Sequence, residues 1–191
     1  QTRFVDLTAD ATENFKLKEN VVLMDEVVVS PTRASSEDPF AQTIVSAEDI
    51  RRDNYGQNVP FLLAGTPSLV FTSDDGTGFG YSHMRIRGSD ATRVNVTIND
   101  VPLNDAESQS VFWVNLPDIA SSANDIQIQR GAGTSTNGAG AFGGSVNIRT
   151  TAPRDKVGAD LTYNVGSFGA QKFSAAFSSG LLNDHYELSG R

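Results

Sequence analysis

IQIQRGAGTSTNGAGAFGGSVNIRT, running from Ile126 to Thr150, decides how this sequence folds. Its opening alternates apolar and polar residues through Ile126, Gln127, Ile128 and Gln129 and halts at Gly131, the pattern of a half-buried strand entering a turn. Its end alternates again, with β-branched Val146, Ile148 and Thr150. Between the two lies a G-x-G-x-x-G at Gly138, Gly140 and Gly143. A dinucleotide site needs those glycines to lead from a strand into a helix whose N-terminus faces the pyrophosphate. Here a strand follows instead. The other phosphate loop requires a lysine directly after its last glycine, and no glycine in this chain precedes a lysine. The glycines must therefore serve the backbone rather than a nucleotide.

Composition narrows the classes further. The chain has 191 residues, 38% of them hydrophobic, enough for at least one packed core. With 23 acidic and 15 basic residues the net charge is −8, so no nucleic-acid partner is expected. Cysteine is absent, which removes disulfides and cysteine-based zinc sites. His83 and His185 are isolated, and no metal or cofactor is expected. No apolar run approaches the ~20 residues of a membrane-spanning helix, and Gln1 to Asp10 lacks the layout of a signal peptide. Neither point bears on β-barrel strands, which are short and alternate.

Outward from the central stretch, the chain reads as strands punctuated by glycine. Residues 1–24 look like the tail of a preceding strand-rich segment. Asp25 to Ser30 holds three consecutive valines, and a polar, proline-punctuated linker follows to Asp38. Ser46 with Asp49 reads as a capping box opening a short helix that stops at Asn54–Gly56, and a second helix covers Val59 to Leu63 with Pro60 in its first turn. Strands are expected at Leu69–Thr72, His83–Gly88, Arg93–Ile98 and Asp125–Arg130, and after Gly144. This middle part is a small mixed α+β domain. From Val157 the texture changes: Val157, Ala159, Leu161, Tyr163 and Val165 share one face, and Phe173, Ala175 and Phe177 continue it after a turn. Such strands fit either a sheet flap on a soluble domain or the start of a barrel, and period two does not separate them.

Taken in order, LLAGTPSLV (Leu62 to Val70), MRIRG (Met84 to Gly88), NVTINDVPL (Asn95 to Leu103) and the central stretch resemble the plug domain of TonB-dependent outer-membrane transporters. The resemblance covers about Val27 to Pro153, and it implies a plug at residues 39–153 inside a large β-barrel of about 22 strands. Residues 154–191 would then be the first strands of that barrel. Three strands cannot close, so the sequence looks like part of a longer receptor. The glycines Gly138, Gly140, Gly143 and Gly144 look like a close-packing segment of the plug, where backbone passes near backbone.

The resemblance also assigns roles. Asp25, Glu26, Val27, Val28, Val29 and Ser30 would form the TonB box, presented in the periplasm to the C-terminal domain of TonB, with a plain edge strand as the alternative reading. An extended β-branched segment beside a linker suits strand addition to an exposed sheet edge. Arg85, Arg87 and Arg130 would contact acidic residues of the barrel wall, although an ordinary surface arginine is the competing reading, most of all for Arg87. The loops at Ser73–Tyr81 and Asn104–Trp113 resemble the plug apices that meet substrate. Asp74, Asp75, Phe79, Tyr81, Phe112 and Trp113 are the candidate contacts, the alternative being a solvated acidic loop with Trp113 in the core. The saccharide-importing branch usually carries Lys-Asp-Ala where this chain has Gln129, Arg130, Gly131 and Ala132, so the sequence looks closer to the branch importing iron complexes, such as ferric siderophores, and cobalamin. No nucleophile–base pair marks an enzyme. A secreted adhesion or carbohydrate-binding β module is the other alternative.

Overall fold

Ser46 starts the first helix as its sequence predicts: its hydroxyl accepts from the Asp49 N–H, and the Asp49 carboxylate accepts from the Ser46 N–H. The computed structural model describes residues 33–35, 38–133, 135–183 and 185–191. The expected TonB box, Asp25 to Ser30, and the segment before it lie outside the described residues. The elements are β1 (Gln42–Val45), α1 (Ala47–Asp53), α2 (Val59–Leu62), β2 (Leu69–Ser73), β3 (Ser82–Ile86), β4 (Val94–Ile98), β5 (Val101–Pro102), β6 (Ala123–Arg130), β7 (Gly144–Thr150), β8 (Val157–Val165), β9 (Gln171–Leu182) and β10 (Tyr186–Gly190).

The plug part is a five-stranded mixed sheet in the order β1-β6-β7-β4-β5, with β2 and β3 paired beside it. Strand β4 runs parallel to β7, and the other neighbours are antiparallel. In this register Ile126 faces Ile148 and Ile128 faces Val146. These residues pack with Val94, Val96, Val59, Leu63, Met84 and Ile86 into one core. The opposite face of the same strands carries Gln127, Gln129, Asn147 and Thr97, and these are buried as well. Strand β3 stops at Ile86 because Arg87 and Gly88 take φ of 53° and 74°, which turns the chain out of the sheet.

The glycine segment does not behave as one unit. At Gly144 an added Cβ would lie 2.7 Å from the Gln129 carbonyl oxygen, and at Gly143 2.8 Å from that of Arg93, so both sit where backbone crowds backbone. Gly138 has open space but a φ of 76°, and Gly140 has neither constraint. Close packing therefore holds for Gly143 and Gly144; Gly138 serves a turn, and Gly140 sits in an open stretch.

Strands β8, β9 and β10 form a separate antiparallel sheet. Its apolar face points outward: Val157 is 80%, Leu161 75% and Phe173 71% exposed. Its polar face lies toward the plug, with Ser178 buried and Asn164 donating to the Asn54 carbonyl at 3.2 Å. A flap on a soluble domain would turn these faces the other way, because burying the apolar side is what drives such packing. The order seen here, apolar outside and polar inside, is that of a membrane-barrel wall. No closed barrel forms among the described residues.

Gly144→Ala should lower the stability of the chain by about 1–3 kcal/mol, the usual cost of forcing atoms into a filled site. Gly140→Ala should stay within about 0.5 kcal/mol of wild type. Denaturant unfolding of both variants checks the contrast.

Candidate functional site: apical cleft, wall contact and chain entry

The loop between β2 and β3 is held by its own acid. Asp75 accepts from the Ser73 hydroxyl at 2.5 Å, the Thr77 hydroxyl at 2.7 Å and the Thr77 N–H at 3.0 Å. These donors, the Ser73 hydroxyl first, hold its carboxyl well below the usual carboxylate range. Asp75 thus organises the loop, and Asp74 is the carboxylate left facing solvent, with the His83 ring 3.9 Å away. Phe79 is 50% exposed, and Tyr81 and Phe112 are exposed too. Trp113 is only 3% exposed and belongs to the core, so the expected apical contact by its ring is corrected: the short 3-10 turn at Trp113–Asn115 sends Phe112 out and Trp113 in.

The second loop is built the same way. Asp105 caps the N–H groups of Glu107 and Ser108, and the Ser108 N–H above all lowers its pKa. Asn104 bridges the loop to β4, accepting from the Val96 N–H at 2.8 Å and donating to the Val94 carbonyl at 2.9 Å. Both loops are therefore pre-shaped by their own side chains: Asp75, expected as a substrate contact, shapes the first, and Asn104 and Asp105, not singled out in the sequence, shape the second.

A cleft of about 820 Å³ opens between residues 55–57, residues 76–79 and the β8–β9 turn. Of the expected contacts only Phe79 lines it; Tyr55, Gln57, Lys172, Phe173 and Asp118 are among the additions. Its size suits a ligand of several hundred daltons. Asp74, Asp75, Tyr81 and Phe112 stand outside it.

The plug meets β8–β10 through an acid of its own. Asp118 receives Lys172 Nζ at 2.7 Å, Arg191 Nη1 at 2.7 Å and the Ser121 hydroxyl at 2.6 Å. Burial opposes its ionisation, but the bonds from Lys172 and Ser121 and the charges of Lys172 and Arg191 outweigh burial and lower its pKa. At this contact the cations are on the strands and the acid is on the plug. Arg85 is exposed on β3, and Arg87 leans against Gly131. Arg130 donates to the Pro67 carbonyl at 3.4 Å, and its Nε is buried without a partner among the described residues. Among those residues none of the three forms an ion pair with β8–β10.

The chain enters the described structure at Arg33, whose guanidinium lies 2.5 Å from Asp125 on β6. Arg149 holds the other oxygen of the same carboxylate. Neither pairing was visible in sequence, since the partners of Asp125 lie 92 and 24 residues away.

Asp118→Asn should loosen the docked strands while sparing the plug core. Amide exchange at Asn164 and Lys172 should rise roughly fivefold, about 1 kcal/mol for a pair partly screened by water, with Ile126 unchanged. Because the folded pKa of Asp118 lies below its ordinary 3.8, its contribution is fully present above pH 3.8 and is lost as pH falls through the lowered value. Exchange measured across that range checks the sign.

Comparison with known proteins agrees with this architecture. The TonB-dependent Receptor Plug Domain family matches residues 34–145. The ferric enterobactin receptor PirA of Pseudomonas aeruginosa is 26% identical over 152 residues, covering 74% of this chain and 20% of that protein. The vitamin B12 transporter BtuB of Vibrio cholerae is 27% identical over 156 residues, covering 80% of this chain and 25% of that protein. The chain thus spans a quarter or less of the length of these relatives. Among solved structures, the alcaligin outer-membrane receptor FauA of Bordetella pertussis superposes with a TM-score of 0.60 at 20% identity, over 78% of this chain and 24% of that one. The ferric yersiniabactin uptake receptor FyuA of Yersinia pestis gives 0.60 at 20% identity, over 80% and 23%. With more than half of its length matched by the plug family and its strands arranged as plug and wall, this chain belongs to the TonB-dependent receptors of the outer membrane.

Proposed function

We propose that this chain is the plug and first wall strands of a TonB-dependent transporter that imports an iron complex such as a ferric siderophore. The observation that carries the reading is the inverted sheet: β8–β10 turn an apolar face outward and dock their polar face on a plug-family domain through Asp118. A secreted adhesion or carbohydrate-binding module would bury that apolar face. Residues 39–153 are the plug in this reading, 25–38 the box and linker, and 154–191 the start of the wall.

Substrate meets the plug at its apex. Phe79 supplies apolar contact inside the cleft, with Tyr55 and the Lys172 side chain beside it. Tyr81, Phe112 and Asp74 extend the surface outside it, and Asp75 keeps the loop in shape. The relatives support the substrate class: one is a ferric enterobactin receptor, and another transports vitamin B12. Binding shifts the population of the box toward exposure in the periplasm, where the TonB C-terminal domain adds to it as a strand. Arg85, Arg87 and Arg130 are contacts to wall strands beyond β10.

Uptake of radiolabelled ferric enterobactin by cells carrying the full-length receptor tests this. Phe79→Ala should weaken equilibrium binding roughly tenfold, about 1.4 kcal/mol. Val28→Pro removes a ladder donor from the box, so uptake should be lost with binding intact. Saturable uptake of an oligosaccharide with no ferric complex taken up would move the assignment to the saccharide branch.

A further inference from the structure

Strand β6 buries polar side chains where a strand covered on both faces ordinarily carries apolar ones. Asp125, Gln127 and Gln129 all lie on its second face, and Gln127 is 2% exposed. Their partners come both from the sheet, at Arg149 and Gln42, and from outside it, at Arg33 and Ala34. The Gln127 side chain accepts from the Ala34 N–H at 2.9 Å and donates to the Ala34 carbonyl at 2.8 Å, gripping both polar groups of a single residue. It also donates to the Gln42 side chain at 2.9 Å, and Gln129 donates to it at 3.1 Å, so its amide is fully engaged. One residue upstream, Arg33 reaches Asp125 at 2.5 Å and the Asn147 carbonyl at 3.4 Å.

We propose that Asp125 and Gln127 are positioning residues that clamp Arg33–Ala34, so that a pull arriving along the chain from the coupling segment is first resisted there and released without opening the apolar core. The proposal rests on the coupling role given above to Asp25–Ser30. Three features make the contact a clamp rather than a piece of core. It consists of hydrogen bonds and one ion pair, which lose their hold steeply with distance and which water can replace. Among the described residues, the apolar surface it buries on the strap is small: the methyl of Ala34 and the stem of the Arg33 side chain. And Gln127 holds backbone, not side chain, so its grip fails as one step when Ala34 slides by a single residue. The Ile126–Ile128 face, with no such replaceable partners, stays packed.

Amide hydrogen exchange of the 191-residue chain is the first arm. Gln127→Leu keeps the volume and removes both bonds to Ala34; Asp125→Asn keeps the shape and removes the charge opposite Arg33. In each variant the Ala34 amide should exchange at least about tenfold faster, with Ile126, Ile128 and Val146 within about twofold of wild type. An unchanged Ala34 overturns the clamp, and so does equal acceleration throughout the core in both variants, since strap and core would then open as one unit. The second arm measures affinity of the TonB C-terminal domain for wild type and both variants. A rise of about threefold or more in the variants, with the exchange result, supports a clamp that restrains the coupling segment; equal affinity overturns that role. If the domain binds none of the three, the coupling reading fails, while the exchange arm still decides whether the clamp exists.

Discussion

Everything in this plug hangs on one strand buried on both sides. Strand β6 lies between β1 and β7 and presents Ile126 and Ile128 to the core and Gln127 and Gln129 to the opposite face. The apolar face is satisfied by contact alone. The polar face is not: a buried amide left without partners costs far more than a satisfied one returns, so the chain must bring donors and acceptors to it. Thr97 and Asn147 pair with each other there, and Ala34 and Gln42 complete Gln127. The sheet thus demands that the incoming chain lie against it, while letting that chain be held by bonds that water can replace.

The same division of labour governs the wall strands. Their apolar side chains are mostly turned away from the plug and exposed. What joins strands and plug is polar: Lys172 and Arg191 on the Asp118 carboxylate, Lys172 on the Ser121 hydroxyl, and Asn164 on a backbone carbonyl. A plug held to its wall by apolar packing would be hard to shift. One held by a few charge-assisted bonds sits firmly and can still exchange those bonds for water, because the net stabilisation of each is modest.

At the apex the polar groups work on the loops themselves. Asp75 and Asp105 each spend their acceptor capacity on neighbours within three residues, and Asn104 fastens its loop to β4. Loops shaped in this way lose little freedom on meeting a ligand, which favours affinity. The aromatic faces of Phe79, Tyr81 and Phe112 are left open by the same arrangement.

The sequence by itself determined most of the strands, though not β1, and both helices with their starts, since alternation, the Ser46–Asp49 capping box and Pro60 act within a few residues of themselves. Its ordered motifs also pointed to the plug family. Tertiary structure alone decided which way the faces turn. Phe112 and Trp113 are adjacent apical candidates in sequence, with the core as the other reading for Trp113, and packing sends one out and one in. Gly140 and Gly144 look alike until the Gln129 carbonyl is brought beside the latter. The period of β8 is the same whether its apolar face meets a core or a lipid. The ionic contacts that matter most join residues 54 to 92 positions apart, Lys172 with Asp118 and Arg33 with Asp125. Local chemistry sets dihedral angles and periodicity, and so is written locally; burial and pairing depend on atoms that the chain supplies from elsewhere, and they exist only once it has folded.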